Sequence, residues 1–389
     1  MKRILVVAND FPYPPTHGAA IDMWARILIL TKMGYSVDLL ASVREMPDED
    51  RMQAVREHVG NLWVVPRRCG LRSILSLVPF QVRSRIDLQN VALGEHYDAA
   101  LLEAEYVAAF LHNPAARHTK LILRIHNEQI GYFRELAEGS DNLLKKLYYY
   151  SESFKFRSFS PKVRRKCDYL WFISDSERKD YVRRNPQNDR KSSFLPTHVD
   201  SSTLRPFSAS GRKVIFIGSL TITHNTDAVA WYIEKVHPLL RDLDGYSFDI
   251  AGRTAGQPIP ELKHLIEPYH NVSLTENPVT LDSIYASAAV FVNPVIRGAG
   301  FKVKLIQALQ EGMPVVTTSM GVEGTGFKDS IHLLVADTAQ EFADCVRKLL
   351  IEPNLAESLV RNAQAFLTER YDMKTNMKKT LSEILSMSN

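Results

Sequence analysis

The stretch NPVIRGAGFKVKLIQALQEGMPVVTTS, residues 293–319, changes character three times. It leaves an apolar strand through a loop that holds Gly298 and Gly300, continues as an apolar helix that begins near Lys302 and Lys304, and ends in a second strand. Glycines let the backbone approach a ligand closely, and helix N-termini and lysines attract anions. The stretch therefore predicts a strand–helix–strand unit with an anion site suited to a diphosphate. The alternative is a tight turn followed by two solvated lysines.

The composition is that of a folded globular protein. The chain has 389 residues, 45% of them hydrophobic and 24% charged, with a net charge of +4. This length exceeds what one hydrophobic core usually supports, so we expect two domains. Cys69, Cys167 and Cys345 are scattered and form no CxxC pair, which favours a reducing cytoplasm and no structural zinc. No apolar run reaches the ~20 residues of a membrane span, and the run before Asp10 is shorter than a signal-peptide core.

Short β-branched runs alternate with amphipathic segments, a pattern typical of parallel sheets built from βαβ units. The predicted strands are RILVVA, SVDLLA, NLWVV, DAALLEA, LILRIH, YLWFIS and SSFLP in a first series and KVIFIGS, YSFDIAG, NVSLTE, AVFVNP and MPVVTTS in a second. The series break near residues 203–212. We therefore predict an α/β fold of two Rossmann-like domains facing across a cleft, residues 1–205 and 206–370. A helix in residues 371–389 is expected to cross back to the first domain.

Polar residues follow several predicted strands, at the edge where open parallel sheets bind ligands. His17 and Gly18 precede a helix whose free amides offer a seat for an anion, unless Gly18 merely makes a turn. His126, Asn127 and Glu128 follow LILRI, where they are placed either to reach a substrate or to serve the structure.

Two loops of the second series add candidates. After KVIFIGS, either Asn225 or Thr226 is expected to cap the next helix while a neighbour contacts a ligand. After YSFDI come Gly252 and Arg253, and Arg253 lies either near a nucleotide or beside an acidic surface residue. The AGRTAG sequence at this point does not match a GxGxxG fingerprint.

Three segments together resemble a known family. FPYPPTHGAAIDMWARILIL, FIGSLTITHNTDAVAWYI and NPVIRGAGFKVKLIQALQEGMPVVTTSMGVEG are similar to segments of GT-B-fold glycosyltransferases of the large retaining family 4 type. The similarity covers nearly the whole chain, and the glycine–lysine block before GMPVVTT is its most specific part. HVDSSTLRPF also resembles that family's linker.

The resemblance implies a site. In that family the C-terminal domain binds the nucleotide of the sugar donor and the N-terminal domain binds the acceptor. Carried over by position, the resemblance implies that His126 is the catalytic residue beside the transferred sugar. The implied donor-binding residues are Gly18, Asn225, Arg253, Gly298, Gly300, Phe301, Lys302, Lys304 and Gln307, and the implied acceptor-side residues are His17, Asn127 and Glu128.

Gln307 departs from the family pattern. The family usually has a glutamate at this position, where it accepts hydrogen bonds from the ribose hydroxyls, and an earlier one at the position of Ala299. The amide oxygen of Gln307 still accepts a hydrogen bond but carries no charge. The change leaves either a working enzyme with altered donor binding or a protein with weakened catalysis, and we expect the former because the rest of the block is present.

The resemblance implies transfer of a sugar from a nucleotide diphosphate-sugar to a hydroxyl acceptor with retention, in bacterial surface polysaccharide or glycolipid synthesis. Stabilisation of charge on the leaving diphosphate would carry the catalysis, with no metal or cofactor. Two alternatives remain. One is a GT-B-like partner protein that binds a nucleotide or sugar without transferring it, which Gln307 favours. The other is a nucleotide-sugar epimerase, for which Glu128 is the tempting acid–base residue.

Residues 142–166 form a strongly basic run. Eight lysines and arginines face one acidic residue, Glu152, and Leu, Tyr and Phe are interleaved. This pattern predicts an amphipathic element on anionic lipid at the inner face of the plasma membrane, where a lipid-linked acceptor would lie, and residues 66–85 are a second candidate. The alternative is a basic helix whose aromatic residues belong to the core. Nucleic acid is not an expected partner, because no binding module is present.

Overall fold

The computed structural model describes residues 2–15, 18–70, 76–94, 96–140, 142–199, 201–208, 211–254, 256–297 and 303–386. The chain divides into two compact units. The first comprises Met1–His198 and Asp372–Asn389, and the second comprises Val199–Tyr371. The sequence placed these boundaries at residues 205/206 and 370/371.

The first unit is built on a parallel sheet. Among its described residues the sheet has seven strands in the order β3-β2-β1-β4-β5-β6-β7. The strands are β1 (Arg3–Ala8), β2 (Ser36–Val43), β3 (Leu62–Pro66), β4 (Ala99–Glu103), β5 (Lys120–Ile125), β6 (Tyr169–Phe172) and β7 (Ser192–Phe194). Because β1 pairs with both β2 and β4, the strand order reverses there, and this reversal is where ligands bind in open α/β sheets.

Helices connect these strands. They are α1 (Gly18–Lys32), α2 (Glu49–Arg56), α3 (Phe80–Arg83), α4 (Gln129–Glu138), α5 (Leu143–Lys166) and α6 (Asp175–Arg184), with 3₁₀ turns at Ile86–Asn90, Glu105–His112, Pro114–His118 and Pro186–Lys191. No helix within the described ranges combines the length and the apolar character needed to cross a bilayer.

Both faces of the first sheet are buried, and β1 is apolar after its first residue, Arg3. Ile4 and Val6 join one core cluster, while Leu5 and Val7 join the cluster on the opposite face. Strands of a parallel sheet covered on both sides are typically such near-continuous apolar runs. The last helix of the chain packs Met377 into the cluster of Ile4 and Val6.

The second unit repeats the plan. In its described part the sheet has six strands in the order β10-β9-β8-β11-β12-β13. The strands are β8 (Lys213–Ile217), β9 (Ser247–Gly252), β10 (Val272–Glu276), β11 (Val290–Asn293), β12 (Val315–Thr317) and β13 (Leu334–Val335). The order reverses where β8 pairs with β9 and β11.

The second unit contains α7 (Thr223–Trp231), α8 (Pro260–Ile266), α9 (Asp282–Ala286), α10 (Val303–Gln310), α11 (Ser319–Val322), α12 (Ala339–Ile351) and α13 (Pro353–Arg370). A π-helical turn at Tyr232–Val236 extends α7, and 3₁₀ turns lie at Ser201–Thr203 and His237–Leu239. The chain then returns to the first unit with α14 (Met373–Ser386). The predicted α/β class with two Rossmann-like domains is confirmed.

Candidate functional site

Lys304 and Asn225, which lie far apart in sequence, meet at the strand-order reversal of the second unit. Lys304 is in the first turn of α10, and its Nζ donates to Asn225 Oδ1 at 2.8 Å. The same ammonium group lies 4.4 Å from the centroid of the Phe216 ring on β8. Both contacts fix the cation beyond the end of β8, the edge at which such sheets bind ligands.

The predicted helix cap at Asn225 or Thr226 is wrong. Helix α7 begins earlier, at Thr223, with Ile222 in the cap position and no side-chain cap. Asn225 therefore lies inside the first turn, and its buried amide is used elsewhere: Nδ2 donates to the Ser219 carbonyl at 2.9 Å while Oδ1 accepts from Lys304. The amide thus joins the loop after β8 to the lysine of α10.

The loops after β8 and β9 touch, and a glycine makes that contact feasible. A Cβ atom on Gly252 would lie 2.0 Å from the Gly218 carbonyl oxygen. Just beyond, Leu220 N donates to the Arg253 carbonyl at 2.9 Å. Arg253 itself is exposed directly after β9. Its role toward a nucleotide stays a prediction.

Gln307 lies one turn after Lys304 on α10 and lines a cavity of about 370 Å³. The other lining residues are Thr203, Arg205, Leu281, Asp282, Tyr285, Gln310 and Glu311. Arg205 Nε lies 3.1 Å from Glu311 Oε2. Burial raises the pKa of Glu311 in spite of this partner.

In the first unit, His126 follows β5 and contacts two buried carboxylates. Its Nε2 lies 3.0 Å from Glu103 Oε2, and its Nδ1 lies 3.8 Å from Asp22 Oδ2. Glu103 ends β4 and Asp22 lies in α1, so a strand, a helix and the segment after β5 contribute to one cluster near the strand-order reversal. The imidazole is half-buried while both carboxylates are fully buried.

Two buried arginines complete this cluster. Arg26 donates to Asp22 Oδ2 at 2.6 Å and to Glu103 Oε2 at 2.7 Å, and Arg124 Nη2 lies 3.0 Å from Asp22 Oδ2. None of these four side chains is exposed. We call Asp22, Arg26, Glu103 and Arg124 the buried charge cluster. Its two cations and two anions sum to zero formal charge, which is the condition under which buried charges are tolerated.

The buried charge cluster determines how His126 is held. Burial opposes the ionisation of Glu103, but the Arg26 charge and the hydrogen bond from His126 outweigh it and lower the pKa of this carboxyl. The pKa of Asp22 is likewise held well below its usual range, because Arg124 and Arg26 outweigh burial. Burial lowers the pKa of Arg124 to about 10. Glu103 is therefore an ionised acceptor, so His126 must donate through Nε2–H.

Sequence reasoning missed the buried charge cluster. One available signal was Arg124 in the middle of the apolar strand LILRI, and another was the Asp22–Arg26 pair spaced four residues apart in an apolar helix. A charge inside an apolar element needs a partner, so these two features together point to an internal ion network.

The other site residues predicted from the sequence are in part described by the structure and in part outside it. Gly18 begins α1. Glu128 caps α4, accepting from Gly131 N at 2.7 Å and Ile130 N at 3.4 Å, which gives its carboxylate a structural task. The Asn127 carbonyl accepts from the Gln129 amide at 3.4 Å. The acceptor-side assignments stay predictions. His17, Gly298, Gly300, Phe301 and Lys302 lie outside the described residues.

Two Rossmann-like units, the second with a lysine held at its strand-order reversal, are the architecture of GT-B-fold glycosyltransferases. The chain belongs to the glycosyl transferases group 1 family, whose model matches residues 211–352. It is 30% identical to an uncharacterized 44.6 kDa protein in the cps region of Klebsiella pneumoniae, over 96% of this chain and 97% of that protein.

Solved structures share the fold of the chain. Sucrose-phosphate synthase from Thermosynechococcus elongatus matches with a TM-score of 0.71 at 13% identity, covering 100% of both chains. HepE from Anabaena, solved in complex with UDP and glucose, matches with a TM-score of 0.66 at 14% identity, covering 98% of this chain and all of HepE.

Proposed function

We propose that the protein transfers a sugar, with retention, from a nucleotide diphosphate-sugar to a hydroxyl of a glycan or lipid-linked acceptor during bacterial surface polysaccharide or glycolipid synthesis. Family membership supports transfer. The Klebsiella relative from a cps region supports the pathway, and HepE with UDP and glucose supports the donor class. The observation that carries the proposal is the Lys304 ammonium held by Asn225 beyond β8.

On the donor side, Lys304 neutralises charge that grows on the leaving diphosphate. An ammonium already fixed by an amide and an aromatic ring needs little reorganisation when that charge appears. Amides at the start of α10 add donors of the same kind. Gln307, one turn on, bonds a ribose hydroxyl through its amide oxygen. No metal or cofactor is required by this scheme.

On the reacting side, the bond between the anomeric carbon and the diphosphate oxygen breaks as the acceptor oxygen bonds that carbon on the same face. The acceptor proton passes to the leaving phosphate oxygen. His126 lies beside the transferred sugar, oriented by the buried charge cluster through the Glu103 hydrogen bond. Its ring stabilises positive charge that develops on the sugar.

A second candidate function is binding of a nucleotide or sugar without transfer, as a partner subunit. Gln307 is the observation that favours it, because the ribose position lacks a carboxylate. The epimerase alternative loses its support, since the carboxylate of Glu128 already accepts two amides at the start of α4.

The test combines binding with turnover. We expect calorimetry to detect binding of UDP or GDP. With a panel of nucleotide sugars and a bacterial lipid extract, we expect a product whose anomeric configuration, determined by NMR, matches that of the donor. His126→Ala should lower kcat about 100-fold while leaving nucleotide affinity unchanged. His118→Ala, at an exposed position, is the matched control.

Nucleotide binding without turnover of any donor would favour the partner-subunit function. Full activity of His126→Ala would remove His126 from the mechanism, and an inverted product would refute retention.

A further inference from the structure

Helix α5 (Leu143–Lys166) has one face packed against the core and one face exposed to solvent. The packed face buries Phe156 and Val163. The Phe156 ring stacks on the Phe133 ring, with the two ring centroids 5.4 Å apart. This agrees with the interpretation that part of the basic run belongs to the core. The opposite face carries large apolar side chains that the core does not use.

These apolar side chains form a stripe. Leu143, Leu147, Tyr150 and Phe154 follow each other at intervals of four, three and four residues, the spacing of one helix face. Their exposures are 69%, 58%, 41% and 76%. We call these four residues the outer stripe. Scattered exposed apolar residues are ordinary, but four on one face indicate an interaction surface.

Positive charge surrounds the outer stripe. Glu152, the one acidic residue of α5, is buried and pairs with Lys155 at 2.9 Å, and Arg164 pairs with Glu105 at 2.8 Å. The other basic residues of the helix are exposed or half-buried: Lys145, Lys146, Arg157, Lys162, Arg165 and Lys166. At ~100° per residue, Lys146 and Arg157 border the stripe on one side. The exposed face is therefore apolar along its centre and cationic beside it.

Phe80, in the second basic segment predicted from the sequence (residues 66–85), lies against the same helix. Phe80 N donates to Glu152 Oε2 at 2.7 Å, and the Phe80 and Tyr148 rings are 6.3 Å apart. Leu77, three residues before Phe80, is 93% exposed. Two segments that are separate in sequence thus converge in one region of the first unit.

We propose that the outer stripe of α5, with its flanking lysines and arginines, docks on an anionic lipid bilayer. The apolar side chains enter the headgroup boundary while the cations bind lipid phosphates. Charge complementarity selects this occupant. A second copy of the chain would bring two cationic faces together, which electrostatics opposes. This inference deepens the proposed function, because it rests on the lipid-linked acceptor proposed there.

The test is sedimentation of the full chain with phosphatidylcholine vesicles that contain or lack 30% phosphatidylglycerol, a composition of about one anionic lipid in three. We expect binding to the anionic vesicles that weakens as salt rises. The double variant Leu147→Glu with Phe154→Glu should bind at least tenfold more weakly. Ile351→Glu, at an exposed apolar position of α12 in the second unit, should bind like the unmodified chain.

Several outcomes would overturn the proposal: no binding to anionic vesicles, equal binding to neutral ones, or equal binding by the double variant. A lipid-free dimer that the double variant abolishes would assign the stripe to a second copy instead. Melting temperature verifies that both variants fold. UDP calorimetry on the same samples separates the two proposals, because docking without nucleotide binding refutes the transferase alone and nucleotide binding without docking refutes the surface alone.

Discussion

At the scale of single residues, the proposed site depends on side chains that are fixed before any substrate arrives. Lys304 is held by the Asn225 amide and the Phe216 ring, and His126 by Glu103. In both cases a functional group named from the sequence has a partner that was not predicted for it. Such supporting contacts keep a catalytic geometry within tolerance.

Replacing Lys304 tests the donor side. Lys304→Met keeps the length of the side chain but removes its charge, so the dissociation constant for UDP should rise about 10- to 100-fold, or about 1.4 to 2.7 kcal/mol. Titration calorimetry measures it. Lys348→Met, at an exposed position of α12, is the control and should bind UDP normally. Normal binding by Lys304→Met would place the diphosphate elsewhere.

Gln307 offers a gain-of-affinity prediction. Gln307→Glu restores the carboxylate expected at the ribose position, and a charged acceptor binds hydroxyls more strongly than an amide, so UDP should bind several-fold more tightly. Gln310→Glu introduces the same change into the same cavity and should not help. If the two variants behave alike in calorimetry, Gln307 does not contact the ribose.

The buried charge cluster predicts a pH dependence of stability. The pKa values of Asp22 and Glu103 are lowered from ordinary values of 3.8 and 4.5, so the folded protein binds fewer protons than the unfolded chain in acid. The stabilisation is complete above the unfolded pKa values and is lost as pH falls below them through the folded values. Urea unfolding of the first unit should therefore give a flat free energy from pH 5 to 7 and a decline below about pH 4.5.

Glu103→Gln should remove part of that decline. It leaves the buried Arg26 of α1 incompletely paired, at a cost of about 3–5 kcal/mol at neutral pH. Glu57→Gln, at an exposed position, is the control and should preserve both the stability and the pH profile. A Glu103→Gln protein with unmodified stability would mean that the charge cluster is relaxed by water.

At the scale of secondary-structure elements, the pattern of apolar residues was sufficient to predict the strands. Each of the twelve strands expected from apolar runs is present within the described residues, because strands buried on both faces are near-continuous apolar runs. Strand β13 was missed because two residues, Leu334 and Val335, show no periodicity. The cap at Asn225 was predicted wrongly because an amide at a helix start is an equally good ligand for a lysine from another element.

The contact between the chain segments that end β8 and β9 predicts the effect of adding one methyl group at Gly252. In Gly252→Ala the added carbon would meet the Gly218 carbonyl and the Leu220 side chain, so the second unit should lose more than about 3 kcal/mol of unfolding free energy. Gly94→Ala adds the same methyl group in open space and should be neutral in thermal melts. A well-folded Gly252→Ala protein with normal UDP affinity would show that the two loops separate easily.

At the scale of the whole molecule, the first unit is assembled from two distant parts of the chain. Helix α14 inserts Met373, Met377, Leu381 and Ile384 into the cluster that contains Ile4 and Val6. Two αβ series were recognisable in the sequence because each repeats the same pattern. The pairing within the buried charge cluster was not, since its members come from three elements and apolar patterning does not show which charges meet.

Helix α14 should stabilise the first unit selectively. Met377→Ala removes a fully buried side chain and should cost about 2–5 kcal/mol. Hydrogen exchange should then accelerate in β1 and β2 while β8 and β9 stay protected. Lys378→Ala, next along the helix and exposed, is the control. Equal acceleration in both sheets would mean that the two units unfold together.

Because the first unit is formed by two separate segments of the chain, its folding cannot be completed until the second segment has been synthesised. Domains generally fold as they emerge from the ribosome, N-terminal first. Here residues 199–371 form a contiguous unit, whereas the unit that begins the chain lacks α14 until the second unit has been made. The apolar surface beside Ile4 and Val6 therefore stays uncovered during most of translation, and the unit that starts first is completed last.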